Sequence, residues 1–426
     1  MLHVESSEMQ AAITMCQFLL IWAFTHLFGW FWRVNMSGVS TTLLMISSCL
    51  ICRRKAKGRS CRWPANTGKN SRVALVTGAS SGIGFAVTQQ LVEHGWRVVM
   101  AGRSEERLLE ARKKIMVRNP SGCAIVVGVL DLSDLSSVRD FAEVVTGQKD
   151  QLSLSLLVNA AGVLRRRLHR CDGTGMEEMI ATNVVGPMLL TELLLPLLDE
   201  TALRTGASSR VVNIASSCHT FLGVAPQQGP LEMLKELHSR APLSEDAGPR
   251  DFTLWNFVGY YGLSKLCMIW WTNILAQRVS SLYLPTTGGA QPSQPLPRVS
   301  VACCHPGIIT THLYRDLFPT FVLDYLIYYP SLLIGKTWTD GAQVVLRMAV
   351  EEERLVQGGY YLCDGEYGEK SSNCCLSAYA KDMKAAEEFC AWANMQIELQ
   401  KDTPRVPKLR TKKVDLPRRL IAVKLL

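Results

Sequence analysis

From Arg72 onward, short apolar runs alternate with longer stretches whose apolar residues recur at helical spacing. That alternation predicts repeated βα units around a parallel sheet: a buried parallel strand is apolar on both faces, whereas its connecting helix needs only one apolar stripe. Strands are predicted over Arg72–Thr77, Trp96–Ala101, Ala124–Asp131, Ser155–Asn159, Arg210–Ser216 and Arg298–Cys304. Helices are predicted between them, notably over Gly82–His94, Glu105–Arg118, Met176–Leu198 and Val258–Ser281. The expected fold class is therefore α/β, a doubly wound parallel sheet. Two stretches break the rhythm: Cys218 to Asn256, and Pro285 to Pro297 with its TTGGAQPSQPLP run. Long loops in compact domains are functional or unstructured, so the first is assigned to a substrate-side lobe and the second to a surface insertion.

The region ahead of Arg72 has a different character. No charge interrupts Ala11–Trp32, a length that crosses roughly 30 Å of hydrocarbon as a helix. A membrane anchor is expected there, since the run exceeds the apolar core of a cleaved leader and acidic Glu5 and Glu8 stand where a basic leader would begin. Val34–Cys52 is also uncharged but rich in Ser, Thr and Gly, and suits a second span or an interfacial continuation. Arg53, Arg54, Lys55, Lys57, Arg59 and Arg62 follow, which by the positive-inside tendency puts this end and the rest of the chain in the cytosol. The expected organisation is an anchor with a basic linker over 1–69, a folded α/β domain over 70–400 and a basic tail over 401–426.

Charge and cysteine usage narrow the partners. The formal net charge of +9 is concentrated at the two ends, which favours an anionic membrane surface; no aromatic interleaving or recognition motif points to nucleic acid. The 14 cysteines show no regular framework and no matched CxxC pairs, so neither a disulfide scaffold nor a metal site is expected. Cys49, Cys52 and Cys61, beside the membrane, are acylation candidates, with unmodified thiols the plainer assignment.

Candidate chemistry begins at RVALVTGASSGIG, where a predicted strand runs directly into Gly78, Gly82 and Gly84 and a helix opens at the last two. Glycines permit the tight turn and let backbone approach a diphosphate, while the first amides of the helix supply donors and a favourable dipole. Further along, YYGLSK sets Tyr261 four residues before Lys265, one helix turn apart on one face. Alone, such a pair is also what a solvated helix face carries.

With the glycine turn upstream, the Tyr-x-x-x-Lys pair resembles the short-chain dehydrogenase/reductase family. Further motifs stand in the family's order: Asp131 after the third strand, NAAG at Asn159–Gly162, Asn183 in TNVVG, Ser216 in NIASS, and PGIITT at Pro306–Thr311. The resemblance implies a Rossmann-type sheet and hydride exchange with a nicotinamide nucleotide. It implies that Tyr261 is the acid/base, its phenol lowered from about 10 by Lys265 and the oxidised nicotinamide. Ser216 would hold the substrate oxygen, Lys265 would also bind the nicotinamide ribose, and Asn183 would orient a water relay to the lysine. Ser217 is the alternative serine; Ser216 is preferred because it follows Asn213 by three, as in the family pattern. Cofactor contacts implied the same way are Thr77, Gly78, Ser80, Ser81, Gly82, Ile83 and Gly84 in the turn, Asp131 and Leu132 at the adenine, Asn159, Ala160 and Gly162 after the fourth strand, and Pro306, Gly307, Ile309 and Thr311 around the carboxamide. Ala160 stands where the family usually has a second Asn.

At the end of the second predicted strand, VVMAGRSEER carries Gly102 and Arg103 where an acidic residue would bind the ribose 2′-hydroxyl of NAD. This favours NADP(H). Ser80 and Ser81 occupy the turn position of the usual second basic residue, so NAD(H) stays open.

The anchor, Arg103, the long gap from Ser216 to Tyr261 and HPGIITTHLYRDL look most like the retinol dehydrogenase group, with the polyprenol dehydrogenase branch nearer, and the similarity extends through GGYYLCDGEYGEKS. A lipophilic alcohol or carbonyl of polyprenol or retinoid type is then the expected substrate, with hydroxysteroids or a catalytically idle nucleotide-binding adaptor as alternatives. The nearly uncharged LFPTFVLDYLIYYPSLLIG suits either an apolar substrate tunnel touching membrane lipid or a buried helix pair. Arg165, Arg166, Arg167 and Arg170 suit lipid headgroups or a solvated loop. Endoplasmic reticulum is the expected membrane, and a homodimer stays open.

Overall fold

The structure is a computed structural model, and it describes residues 59–64, 72–119, 125–148, 152–165, 168–171, 175–220, 222, 229–240, 254–282, 297–307, 309, 336–351, 355–362 and 376–399. The expected anchor over 11–32, the second apolar run over 34–52, the insertion over 285–296, the apolar segment after Thr311 and the basic tail lie outside the described residues.

Seven parallel strands form one sheet in the order β3-β2-β1-β4-β5-β6-β7: β1 (Val73–Thr77), β2 (Arg97–Gly102), β3 (Ile125–Val129), β4 (Leu154–Asn159), β5 (Ser209–Ile214), β6 (Val299–Cys304) and β7 (Tyr360–Tyr361). The order reverses between β1 and β4, and in such sheets ligands bind at that switch point, beyond the carboxyl ends of the strands. β1, VALVT, is buried along its whole length, as a central strand covered on both faces must be.

The two faces divide β1 by the strand period of two. Val73 and Leu75 pack with α3 (Leu135–Thr146), α4 (Glu178–Thr205) and α6 (Leu254–Ser281). Ala74 and Val76 pack with α1 (Gly82–Glu93), α2 (Glu105–Arg118) and α7 (Trp338–Val350). Burying the Leu75 side chain alone contributes about 1.5–3 kcal/mol, so the sheet faces hold the domain together.

All six predicted strands form within two residues of their expected ends, and α2 has its predicted limits. α4 begins at Glu178 rather than Met176 and runs past Leu198 to Thr205, stopped by Gly206 in the left-handed conformation (φ 68°). It is the one described helix long and apolar enough to cross a membrane, and 78% of its apolar window is buried, so it serves as a core helix. α6 starts at Leu254, inside the stretch assigned to a lobe, and α5 (Pro230–Arg240) forms within that stretch too. α7 opens on a Thr337–Asp340 capping box, and α8 (Met383–Leu399) packs Phe389 against Trp270 of α6.

Candidate active site

A cavity of about 600 Å3 lies over the carboxyl ends of β1, β2, β4, β5 and β6. Its floor is the glycine turn. Gly78 has φ +65°, and a Cβ there would stand 2.8 Å from Ala161 Cα; a Cβ at Gly84 would stand 2.6 Å from the Gly78 carbonyl oxygen. Only glycine lets β1, β4 and the start of α1 come this close. The N-cap Ser81 makes no side-chain cap bond and the first turn holds no acid, so the opening amides of α1 face the cavity with their positive dipole end free for an anion. Thr77 fixes the neighbouring turn, its hydroxyl accepting from the amides of Ala160 (3.0 Å) and Ala161 (3.1 Å). The turn therefore fits a dinucleotide diphosphate, with Ser80, Ser81, Gly82 and Ile83 lining it.

The second end of the cavity holds Arg103, Ser104 and Arg107. Ser104 caps α2 by accepting from the Arg107 amide, which sets Arg107 one helix turn from Arg103. Arg107 was not anticipated from sequence, although its spacing from Arg103 was a readable signal. Arg103 makes a long 3.4 Å contact with Glu178, and its half-exposed guanidinium keeps that pair weak. Glu178 has a firmer partner in Arg165, which grips it with two bonds of 2.7 and 2.6 Å. Burial raises the Glu178 pKa, but the Arg165 bonds and the charges of Arg165, Arg103 and His169 outweigh it and hold the carboxyl below its usual value. Arg165 is thus an ion-pair partner rather than a solvated or lipid-facing residue. Arg170 reaches the His238 carbonyl, and Arg166 and Arg167 lie outside the described residues.

Elsewhere around the cavity the structure brings Ser216, Tyr261 and Lys265 to one wall. Ser216 follows β5 on a loop and lines the cavity, while Ser217 starts a 3-10 turn and is not among the lining residues. Tyr261 and Lys265 share a face of α6, with the ammonium 5.6 Å from the phenol ring centroid, and Tyr260 points elsewhere. Lys265 is 4% exposed and donates to the Ile214 carbonyl at 2.9 Å. Burial pulls its pKa from 10.5 down to about 8, against weaker opposing influences from Cys218 and Cys304.

Asn183 sits behind this wall in a π-helical turn of α4 (Ala181–Val185), a departure from regular helix that recurs at functional sites. Its amide closes a pair with the Val163 backbone (2.7 and 3.0 Å) and donates to Ser264 Oγ at 3.0 Å. Gly162 lies between Asn183 and Lys265: a Cβ there would meet Asn183 Oδ1 at 3.5 Å and Lys265 Nζ at 3.6 Å. The neighbouring Gly186 lets α4 press on the β3–α3 loop, where a Cβ would meet the Leu132 carbonyl at 2.1 Å.

Other expected contacts are placed differently. Ala160 and Gly162 line the cavity, but Asn159 lies beneath it, donating to Thr191 (3.1 Å) and Asn213 (2.8 Å); Asn213 in turn donates to Thr272 (3.0 Å). Both Nδ2 protons of Asn159 are taken this way, while its buried Oδ1 has no partner among the described residues, and the network ties β4 and β5 to α4 and α6 beneath the cavity. Asp131 gives one carboxylate oxygen to the backbone and hydroxyl of Ser133, while Leu132 beside it lines the cavity. Pro306, Gly307 (φ 94°) and Ile309 close the far wall, and Thr311 lies outside the described residues. Thr182 and Cys218, which also line the cavity, had no sequence signal of their own. Thr182 presents a buried hydroxyl with no hydrogen-bond partner among the described residues. Cys218 lies beside Ser216, and burial, outweighing the Ser216 hydrogen bond and the Lys265 charge, raises its thiol pKa, so it stays protonated.

Comparison with known proteins follows the same outline. Residues 72–225 match the short chain dehydrogenase family. A polyprenol dehydrogenase of Mus musculus is 33% identical over 294 residues, 69% of this chain and 76% of that protein. Retinol dehydrogenase 12 of Bos taurus is 30% identical over 328 residues, 77% of this chain and 86% of that protein. Among solved structures, an uncharacterised protein of Mycobacterium paratuberculosis superposes with a TM-score of 0.50 at 23% identity, covering 77% of this chain and 94% of its own, which agrees in fold.

Proposed function

Since the chain belongs to the short-chain dehydrogenase/reductase family, and within it to the branch of the polyprenol and retinol dehydrogenases, it is an NAD(P)-dependent oxidoreductase, and we propose that it interconverts a lipophilic alcohol and its carbonyl with Tyr261 as the acid/base. The observation that carries this reading is the convergence of Ser216, Tyr261 and Lys265 on one wall of a cavity whose floor is the glycine turn. When bound, the nicotinamide supplies hydride acceptance in one direction and hydride donation in the other. Ser216 donates a hydrogen bond to the substrate oxygen. As an alcohol is oxidised, the hydroxyl proton passes to the Tyr261 phenolate while hydride leaves the carbinol carbon; in reduction both moves reverse. Lys265 stands close enough to favour the phenolate, and Asn183 holds the backbone at Val163 against which that end of the cavity is built.

NADP(H) is the favoured carrier, supported by Arg103 just after β2, by Arg107 in the first turn of α2 and by the absence of an acid at position 102. A polyprenol or retinoid substrate is supported by what the relatives are named for. Attachment to the endoplasmic reticulum membrane through 11–32, with the domain in the cytosol, is supported by the uncharged run and the basic cluster after it.

The test is turnover by the detergent-solubilised full chain, offered a polyprenol, retinol and a hydroxysteroid with NAD or NADP. The expected result is NADP-preferring oxidation of an isoprenoid or retinoid alcohol, with Tyr261→Phe slowing it by about 100-fold or more while nucleotide still binds. A wild type that binds nucleotide yet turns over no alcohol or aldehyde would replace this reading with that of an adaptor.

A further inference from the structure

Ser216 lies two residues beyond the end of β5, one past the last ladder bond, from the Ala215 amide to the Cys304 carbonyl at 2.8 Å, so its own backbone is outside the sheet that faces Tyr261 on α6. Local bonds close its turn, with Ser216 Oγ accepting from the Cys218 amide and its carbonyl from the His219 amide, both at 3.2 Å; the tie to a distant segment is the His219 side chain, fully buried in the 3-10 turn Ser217–Thr220. Its Nδ1 lies 2.7 Å from the Ser216 carbonyl oxygen, and its Nε2 lies 3.4 Å from the Ser377 amide. A carbonyl only accepts and an amide N–H only donates, so these partners select the neutral imidazole with its proton on Nδ1. The ring edge meets Tyr360 of β7, centroids 5.4 Å apart at 70°. The same carboxy-terminal segment grips α6: Trp270 Nε1 donates to the Tyr379 carbonyl at 2.7 Å, two residues from Ser377.

We propose that His219 is a positioning residue: it joins the Ser216 loop to the segment 376–399, which also holds α6, so that the carboxy-terminal segment sets the spacing between Ser216 and Tyr261. The inference rests on the oxidoreductase reading of that site. It assigns work to a part of the chain outside the family match, which ends at residue 225.

The experiment uses the full chain in detergent with NADPH and, as first probe, all-trans-retinal. His219→Phe keeps a planar ring and loses both polar contacts; its kcat should fall by roughly tenfold or more, because small displacements of a reacting group carry large rate penalties, while NADPH affinity is unchanged. His219→Asn, whose amide can still donate toward the Ser216 carbonyl, should recover most of that loss. A second pair is read alongside in case the buried ring cannot be replaced. Ser377 has φ −60°, which proline adopts without strain, so Ser377→Pro and Ser377→Ala both remove the hydroxyl but only the first removes the N–H. The proline variant should have the lower kcat. Wild-type kcat in His219→Phe, or equal rates in the two Ser377 variants, overturns the proposal while loss of activity in Tyr261→Phe leaves the site reading intact. Wild-type rates in Tyr261→Phe, or a wild type inert on every carbonyl, remove the site reading and this inference together.

Discussion

Two buried ionisable residues, one in the site and one outside it, give the fold opposite responses to pH. Lys265 releases its proton near pH 8 in the folded chain and near 10.5 when unfolded, because burial disfavours the ammonium. Between those values the unfolded chain binds more protons, so stability rises with pH, by on the order of 3 kcal/mol across the window. Urea denaturation from pH 7.5 to 10.5 should show this rise in the wild type and a flatter profile in Lys265→Met; parallel profiles would refute it. Glu177, just ahead of α4, runs the other way. Burial raises its pKa from 4.5 to about 8, against its Oε2 bonds to the Met179 and Ile180 amides. Its contribution is fully present below pH 4.5 and is lost as pH rises through 8. Glu177→Gln should therefore remove a fall in stability between pH 4.5 and 8, and an unchanged slope would show that Glu177 is ionised in the fold.

At the scale of elements, the last residues of the basic cluster, Arg59 and Arg62, already pack on the domain. Glu351, at the end of α7, accepts from Arg59 Nη2 and the Arg62 amide, both at 2.9 Å, with Arg347 Nε 3.6 Å away. Gln343 of α7 accepts from the Cys61 amide at 2.8 Å, and Trp63 stacks on His94 after α1 with 3.6 Å between ring centroids. The strap 59–64 thus binds α1 and α7, which leaves only a short tether between the domain and the apolar run ahead of it. Burial, followed by the Glu351 charge, pushes the Cys61 thiol up to about 12, which makes it unreactive. Glu351→Gln removes the charge that organises the strap, so maleimide labelling of Cys61 at pH 7.5 should accelerate by about tenfold or more. Equal labelling rates would mean that the stack of Trp63 holds the strap without Glu351.

Across the whole molecule, the carboxy-terminal helix closes the same core that the sheet begins. Phe389 of α8 is fully buried between Trp270 and Trp392, and Arg139 of α3 reaches the Ile397 carbonyl at 3.0 Å. Phe389→Ala should cost about 3–5 kcal/mol, the usual penalty for emptying such a site. Because α8 shares its core with α6, the loss should lower one cooperative thermal transition. A separate early transition with the main one unmoved would instead make α8 an independent appendage.

Local chemistry was legible in the chain: strands apolar on both faces, a glycine turn that no other residue can form, and a Tyr–Lys spacing that only a helix face makes meaningful. These features depend on near neighbours, and a parallel α/β sheet with a nucleotide turn follows from them. Tertiary structure decided what depends on distant segments. Asn159 sits beneath the expected cavity wall, where Thr191 and Asn213 on other elements take its Nδ2 protons, and Arg165 found Glu178 thirteen residues on. α5 emerged inside a stretch that looked like loop, and β7 is too short to show a period. His219 looked like any polar residue beside a motif, since neither the Ser377 amide nor the Tyr360 ring is near it in sequence. A buried polar group takes whichever partner the fold brings to it, and that choice is made in three dimensions.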